Sequence, residues 1–239
     1  MNLRLPRARR PSVAGLLCIL CLSSPALAQT DETSASGNGR LLTTDAAAVI
    51  AHPVLGLQRS AVPLVGGLVL DTSLIADVML APNLGLRWAM ESGPHRLAVG
   101  ARYTHFVGAS VYSSVVTDQE PALDSFEPTL SGPTVYGAYG LALGPLTVQG
   151  EARYARYESN YLAVTGAAAF HLTQTFQLIA EAGVRLKGGS KLRAAAGVRY
   201  GGEHLGVALG AAYVDIDDPA FPGGGFAVLP VLDLSWTFR

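Results

Sequence analysis

Residues 175–187 read TFQLIAEAGVRLK. Phe176, Leu178, Ala180, Ala182, Val184 and Leu186 recur at every second position, and Thr175, Gln177, Glu181, Arg185 and Lys187 fill the alternate places with Ile179 and Gly183. A β-strand points successive side chains to opposite faces. This period therefore gives a sheet one apolar face and one charged face.

The same pattern extends in both directions. In residues 191–200, Leu192, Ala194, Ala196, Val198 and Tyr200 oppose Lys191, Arg193 and Arg199. In residues 146–157, Leu146, Val148, Gly150, Ala152 and Tyr154 oppose Thr147, Gln149, Glu151 and Arg153. Residues 96–106 set Leu97, Val99, Ala101 and Tyr103 against Arg96, Arg102 and Thr104. Residues 84–91 set Leu84, Leu86, Trp88 and Met90 against Arg87 and Glu91. Residues 134–143, 160–172, 205–215 and 229–238 fit less sharply, and Asp233 takes the charged phase of the last segment. A first strand within 62–72 is interrupted by Gly66 and Gly67, and 73–81 extends it or pairs separately. The expected count is about ten strands, with eight and twelve as the alternatives.

Composition narrows the setting. Only 15% of the 239 residues are charged, against about 25% in a soluble domain. Hydrophobic residues make up 49%, and the mean hydropathy is +0.31. A formal charge of −1 excludes a basic nucleic-acid binder, and the low charge excludes a charge-rich disordered chain. A buried α/β protein or a membrane protein remains. The uncharged stretch 159–180 carries Asn160, His171, Thr173, Gln174, Thr175 and Gln177, which sit badly in a lipid-spanning helix. Two strands with a turn near Thr173 fit better.

The start reads as an address. Arg4, Arg7, Arg9 and Arg10 precede an apolar run from Val13 to Leu22, and Ala26-Leu27-Ala28 follows. This is the build of a secretory signal peptide cleaved after Ala28; the run is shorter than the ~20 residues of a retained anchor helix. Both cysteines, Cys18 and Cys21, fall inside it, so the mature chain offers no disulfide and no thiolate. The expected division is a signal peptide over 1–28, a periplasmic lead-in over 29–60 and a barrel over 61–239. Within the lead-in, 41–58 is ambiguous, with a helical-looking run at 46–50 ended by His52-Pro53.

Three features favour a barrel in lipid over a soluble sandwich. The apolar phase is free of charge at strand centres, as lipid requires, since Arg or Lys there costs about 2–4 kcal/mol. The other phase is strongly ionic. It holds Arg87, Arg96, Arg102, Arg153, Arg185, Lys187, Lys191, Arg193 and Arg199 with Glu91, Glu151, Glu181 and Asp233, and a small closed barrel must fill or wet such an interior. Outward aromatics fall into two belts, as headgroup-level rings do. Trp88, Phe170, Phe176, Tyr200, Trp236 and Phe238 lie toward one end, and Tyr103, Tyr154 and Tyr213 toward the other. Tyr139 sits between the belts. Closure then removes every free edge that lipid would leave unpaired. Alternating strand directions put the two long connections, 108–132 and 215–225, on one side. With the last strand ending in the periplasm, that side is extracellular.

With the signal peptide and the C-terminal run VLDLSWTFR, residues 231–239, the chain resembles the bacterial outer-membrane β-barrel superfamily. The resemblance covers the segment from Val62 to the end and names no single family. It implies that the alternation of Leu232, Leu234, Trp236 and Phe238 is the signal read by the barrel-assembly machinery. Arg239 follows where the superfamily usually ends on the aromatic.

Catalytic motifs are absent: there is no G-x-S-x-G, no P-loop and no H-E-x-x-H. His52, His95, His105, His171 and His204 show no metal-ligand spacing. His105 with Ser110 near the external rim is the sole constellation reminiscent of an outer-membrane lipid hydrolase, and no local motif supports it. Asp118, Glu120, Asp124 and Glu127 in one long loop, and Asp215, Asp217 and Asp218 in the other, read as divalent-cation ligands bridging lipopolysaccharide phosphates or as solvated acidic loops. Their spacing matches no defined calcium loop, which favours the second. The inward cations read as a narrow anion-preferring path or as a salt-bridge network filling a closed lumen. About ten strands enclose less than the 16–18 of open porins, which favours a mostly blocked lumen. The expectation is a small, monomeric, non-enzymatic barrel with no cofactor or bound metal, surrounded by outer-membrane lipid and lipopolysaccharide, with a structural or surface-interaction role through its acidic loops. The runner-up is the anion path and the third is the hydrolase.

Overall fold

The computed structural model describes residues 39–78, 81–107, 131–156, 160–186, 190–216 and 225–239. Nine long strands form most of a wall: β4 (Asn83–Ser92), β5 (His95–Thr104), β6 (Gly132–Leu143), β7 (Leu146–Arg156), β8 (Asn160–His171), β9 (Phe176–Leu186), β10 (Ser190–Gly201), β11 (Leu205–Ile216) and β12 (Gly225–Thr237). Three short ones, β1 (Val54–Gly56), β2 (Ser60–Pro63) and β3 (Leu68–Thr72), complete it. Each strand pairs with its neighbour in sequence, and β1 pairs with β12 to close a barrel that is antiparallel throughout. Among the described residues no helix is long and apolar enough to cross a membrane, which says nothing against crossing by strands.

The barrel has twelve strands, one of the two alternatives to the expected ten or so. Eight of the nine long strands begin and end within two residues of the segments marked by alternation, and β12 ends within one residue of its segment but begins four residues earlier. The difference lies at the start. The segment 62–72 divides into β2 and β3 around Gly66 and Gly67, whose φ angles of 62° and 80° favour glycine and reverse the chain. β1 falls inside the stretch read as lead-in, so the wall begins at Val54 rather than at 61. Residues 73–81 supply a short helix, α1 (Leu74–Val78), not a strand.

The burial pattern is inverted relative to a soluble domain. On β4, Leu84 is 60% exposed and Arg87 is 1% exposed. On β9, Leu178 is 44% exposed and Glu181 is 4% exposed. No helix layer or second sheet covers the outward Leu, Val and aromatic side chains of the described strands. The strands β4–β12 have 10 to 13 residues. At about 3.3 Å per residue and a tilt near 40°, they rise about 25–33 Å, enough to cover an apolar band of about 25 Å.

Candidate functional site

Among the described residues charged side chains converge in the lumen, and a segment of the chain itself lies there. Residues 39–50 fold into a tight hairpin. Ala46 N donates to Gly39 O (2.9 Å), Leu41 N donates to Thr44 O (3.0 Å), and Arg40 faces Asp45. The run at 46–50 is irregular, with bends at Ala47 and Ala48, rather than helical. Leu41, Leu42, Ala46 and Ala48 pack on the inward Ala167, Ala169, Ile179, Ala195, Ala208 and Ala212. The stretch read as a periplasmic lead-in is therefore, over 39–50, buried inside the barrel. Small inward residues on β8–β11 leave the room that this extra backbone needs.

Wall side chains satisfy the hairpin's backbone polar groups, as buried N–H and C=O groups require. The Glu181 carboxylate accepts from Leu42 N (2.8 Å), Thr43 N (3.0 Å), the Thr43 hydroxyl and the Thr44 hydroxyl (3.1 Å) at the hairpin tip. Glu151 accepts from Asp45 N (2.6 Å). Gln149 brackets the chain: its Oε1 accepts from Ala47 N (3.0 Å) and its Nε2 donates to Asp45 O (2.7 Å). Glu91 accepts from Val49 N (3.0 Å). Arg87 Nη2 donates to the carbonyls of Ala46 (2.6 Å) and Ala48. Arg199 donates to the carbonyls of Leu41 (2.5 Å) and Arg40, and Arg59 donates to Gly39 O (2.7 Å).

A second layer of contacts is ionic. Asp45 of the hairpin pairs with both Arg59 and Arg153. Arg59 also reaches Asp71 (3.2 Å), Arg102 pairs with Asp71 (2.6 Å), and Arg153 pairs with Glu151 (2.9 Å). Tyr136 lies against this cluster, with the Arg153 guanidinium 5.7 Å from its ring centre. Gly100 makes that possible: a Cβ there would stand 2.5 Å from the Tyr136 ring. Two small cavities flank the hairpin. One of about 30 Å³ touches Ala47, Arg96, Thr147, Gln149, His171 and Gln177, and one of about 10 Å³ touches Thr43, Glu181 and Arg193. A water needs about 10–15 Å³, so both suit water rather than a solute.

Of the charges assigned to the lumen, Arg87, Glu151, Glu181, Arg199 and Asp233 are buried. Arg96, Arg102, Arg153, Arg185 and Arg193 are half-buried in the same inward phase, and Glu91 is exposed near its strand end. Lys187 and the side chain of Lys191 lie outside the described residues. Arg40, Asp45, Arg59 and Asp71 were missed, because they stand in the lead-in and in strands too short to show a period. A signal for the hairpin was present: 46–50 reads AAAVI inside a polar approach, and a run that apolar needs cover.

The girdle residues Tyr103, Tyr154, Phe170, Phe176, Tyr200, Trp236 and Phe238 are exposed on the outer surface, while Trp88 and Tyr213 are half-exposed. Rings also meet at the lower rim, where Phe176 packs on Tyr200 at 5.1 Å and His204 stacks on Trp236 at 5.4 Å. Tyr139 donates to or accepts from His95 Nδ1 (2.7 Å), placing it near that rim. Leu232, Leu234, Trp236 and Phe238 form one outward stripe on and just beyond β12. His105 is exposed, and Ser110 lies outside the described residues. The acidic residues 118–127, 217 and 218, and the side chain of Asp215, also lie outside them. Among the described residues no group of His, Cys, Asp and Glu could hold a metal.

A closed antiparallel wall with an apolar outside and an ionic inside is the fold of a bacterial outer-membrane β-barrel. The NanC porin has this fold: it aligns over 78% of this chain and 96% of its own, with a TM-score of 0.51 and 9% identity. OmpT of Vibrio cholerae aligns over 75% of this chain, with a TM-score of 0.36 and 9% identity; this chain spans 62% of OmpT's length. No family model and no curated relative matches the chain. At these identities the likeness is one of fold.

Proposed function

We propose that the chain is an outer-membrane barrel that its own N-terminal hairpin holds closed, and that it serves as a membrane scaffold presenting external acidic loops. The observation that carries this reading is the hairpin 39–50, seated among Glu181, Arg87, Arg199 and the Asp45–Arg59–Arg153 cluster. The two cavities beside it among the described residues are of water size. The connections that carry Asp118, Glu120, Asp124, Glu127, Asp217 and Asp218 join strand ends on one side of the barrel, which suits surface contact. The reading includes outer-membrane lipid and lipopolysaccharide as surroundings, the assembly machinery as the reader of the β12 stripe, a monomeric barrel and no catalytic step.

Planar-bilayer recording of the purified, cleaved protein tests the closed state. The expected result is no steady current. A steady open current in the native protein would overturn the reading. Deleting residues 108–132 is expected to abolish adhesion of the protein to surfaces or cations that the full chain binds; unchanged binding would remove the loop part.

A further inference from the structure

We propose that the hairpin 39–50 is a displaceable plug and that the guanidiniums it caps line a path for small anions when it leaves. This goes beyond the closed scaffold, which describes only the resting state.

The first argument is how the hairpin is held. Its backbone-to-backbone hydrogen bonds run within itself, and its contacts to the wall run through wall side chains. It is not a thirteenth strand, so the ladder of the barrel stays closed without it, through β1 and β12. Each polar contact to a wall side chain can be exchanged for a contact to water when the hairpin leaves. The apolar partners on the wall are mainly alanines. Ala51, His52 and Pro53, which tether the hairpin to β1, are exposed and leave it free to swing toward the end where β1 starts.

The second argument is what lies beneath. Arg87 is 1% exposed, and Asp71 and Glu91 act on its charge from beyond ion-pair distance. Its Nη2 donates to two hairpin carbonyls, and the buried Tyr136 hydroxyl lies beside the guanidinium. The Nη2 donors released when the carbonyls withdraw suit a small anion. On the opposite wall Arg199 also donates to hairpin carbonyls, those of Leu41 and Arg40, with Asp233 4.0 Å away. The hairpin carries one Arg and one Asp and is neutral, so its departure leaves the cation excess of the wall in place. Carbonyl oxygens now occupy positions where a chloride or a small carboxylate would pass.

The test uses a staple. A Cβ at Gly140 would lie 3.4 Å from Ala47 Cβ, close to the disulfide range of about 3.5–4.5 Å, and the mature chain has no other cysteine. The native chain and the A47C/G140C chain are recorded in planar bilayers under stepped voltage in a KCl gradient. Expected are brief openings in the native chain, their loss in the oxidised staple and their return with reductant. A native chain that never opens, or openings that ignore the staple, would overturn the proposal. The full chain lacking only 39–50, checked for folding by its heat-dependent gel shift, is expected to conduct steadily with chloride preferred over potassium. Arg87→Ala with Arg199→Ala in that background is expected to lower the chloride-to-potassium ratio at least threefold. A folded deletion variant that stays closed, or that prefers potassium, would also overturn it; the stapled pair decides the matter if the deletion variant does not fold.

Discussion

The two sides of this barrel are held by different forces. Strands β4–β12 are long ladders whose faces meet two solvents, lipid outside and a polar lumen inside. Strands β1–β3 have 3, 4 and 5 residues, too short to span the membrane as ladders. There the wall leans on charge: Arg59, in the turn between β1 and β2, joins Asp71 of β3 to Asp45 of the hairpin. The contrast teaches that alternation is needed only where each face must satisfy its own solvent. Where a strand is short, side-chain chemistry replaces periodicity.

Substitutions that strike one side at a time sharpen this contrast. The largest loss is expected for Asp71→Ala, which leaves buried Arg59 with Asp45 alone and takes from half-buried Arg102 the carboxylate it pairs with. About 3–5 kcal/mol of stability is at stake when one partner of a buried pair is removed. Urea unfolding in lipid vesicles measures it, and a loss below 1 kcal/mol would show that the ladders hold the short side too. Next comes Ala182→Arg, a charge placed at the middle of β9 on the lipid face. It is expected to cost about 2–4 kcal/mol near mid-membrane, read in the same assay. A neutral outcome would mean that this face does not meet lipid.

Glu181→Gln keeps the shape but removes the charge on which the hairpin tip rests. With hydrogen bonds to charged groups worth about 1.5–3 kcal/mol, part of that is expected to be lost, together with increased labelling of an Ala48→Cys reporter by a thiol reagent. The smallest effect belongs to Arg96→Gln. Its pair with Glu91 is 3.9 Å long and a quarter exposed, and such pairs contribute about 0–1 kcal/mol. An unchanged urea midpoint is expected.

The nine long strands were legible because lipid and lumen each impose a period-two constraint. Leu178 beside Ile179 and Glu181 can alternate in only one way. The inward phase of Arg87, Glu151 and Arg199 followed from the same rule. Arg59 and Asp71 carried no such mark. Arg59 sits in a turn, and Asp71 sits in a five-residue strand next to a glycine reversal. The two extra strands escaped for the same reason, since three or four residues are too few to display a period.

The amino-acid order alone determined the closed antiparallel wall, its inside and its outside, because those depend on local alternation against two solvents. Tertiary structure decided what fills the lumen. The run AAAVI at 46–50 announces a need for cover without saying where cover lies. Only the folded chain brings the hairpin that holds this run more than a hundred residues along the sequence to Gln149, Glu151 and Glu181, whose side chains supply hydrogen bonds that the hairpin's backbone would otherwise lose to burial.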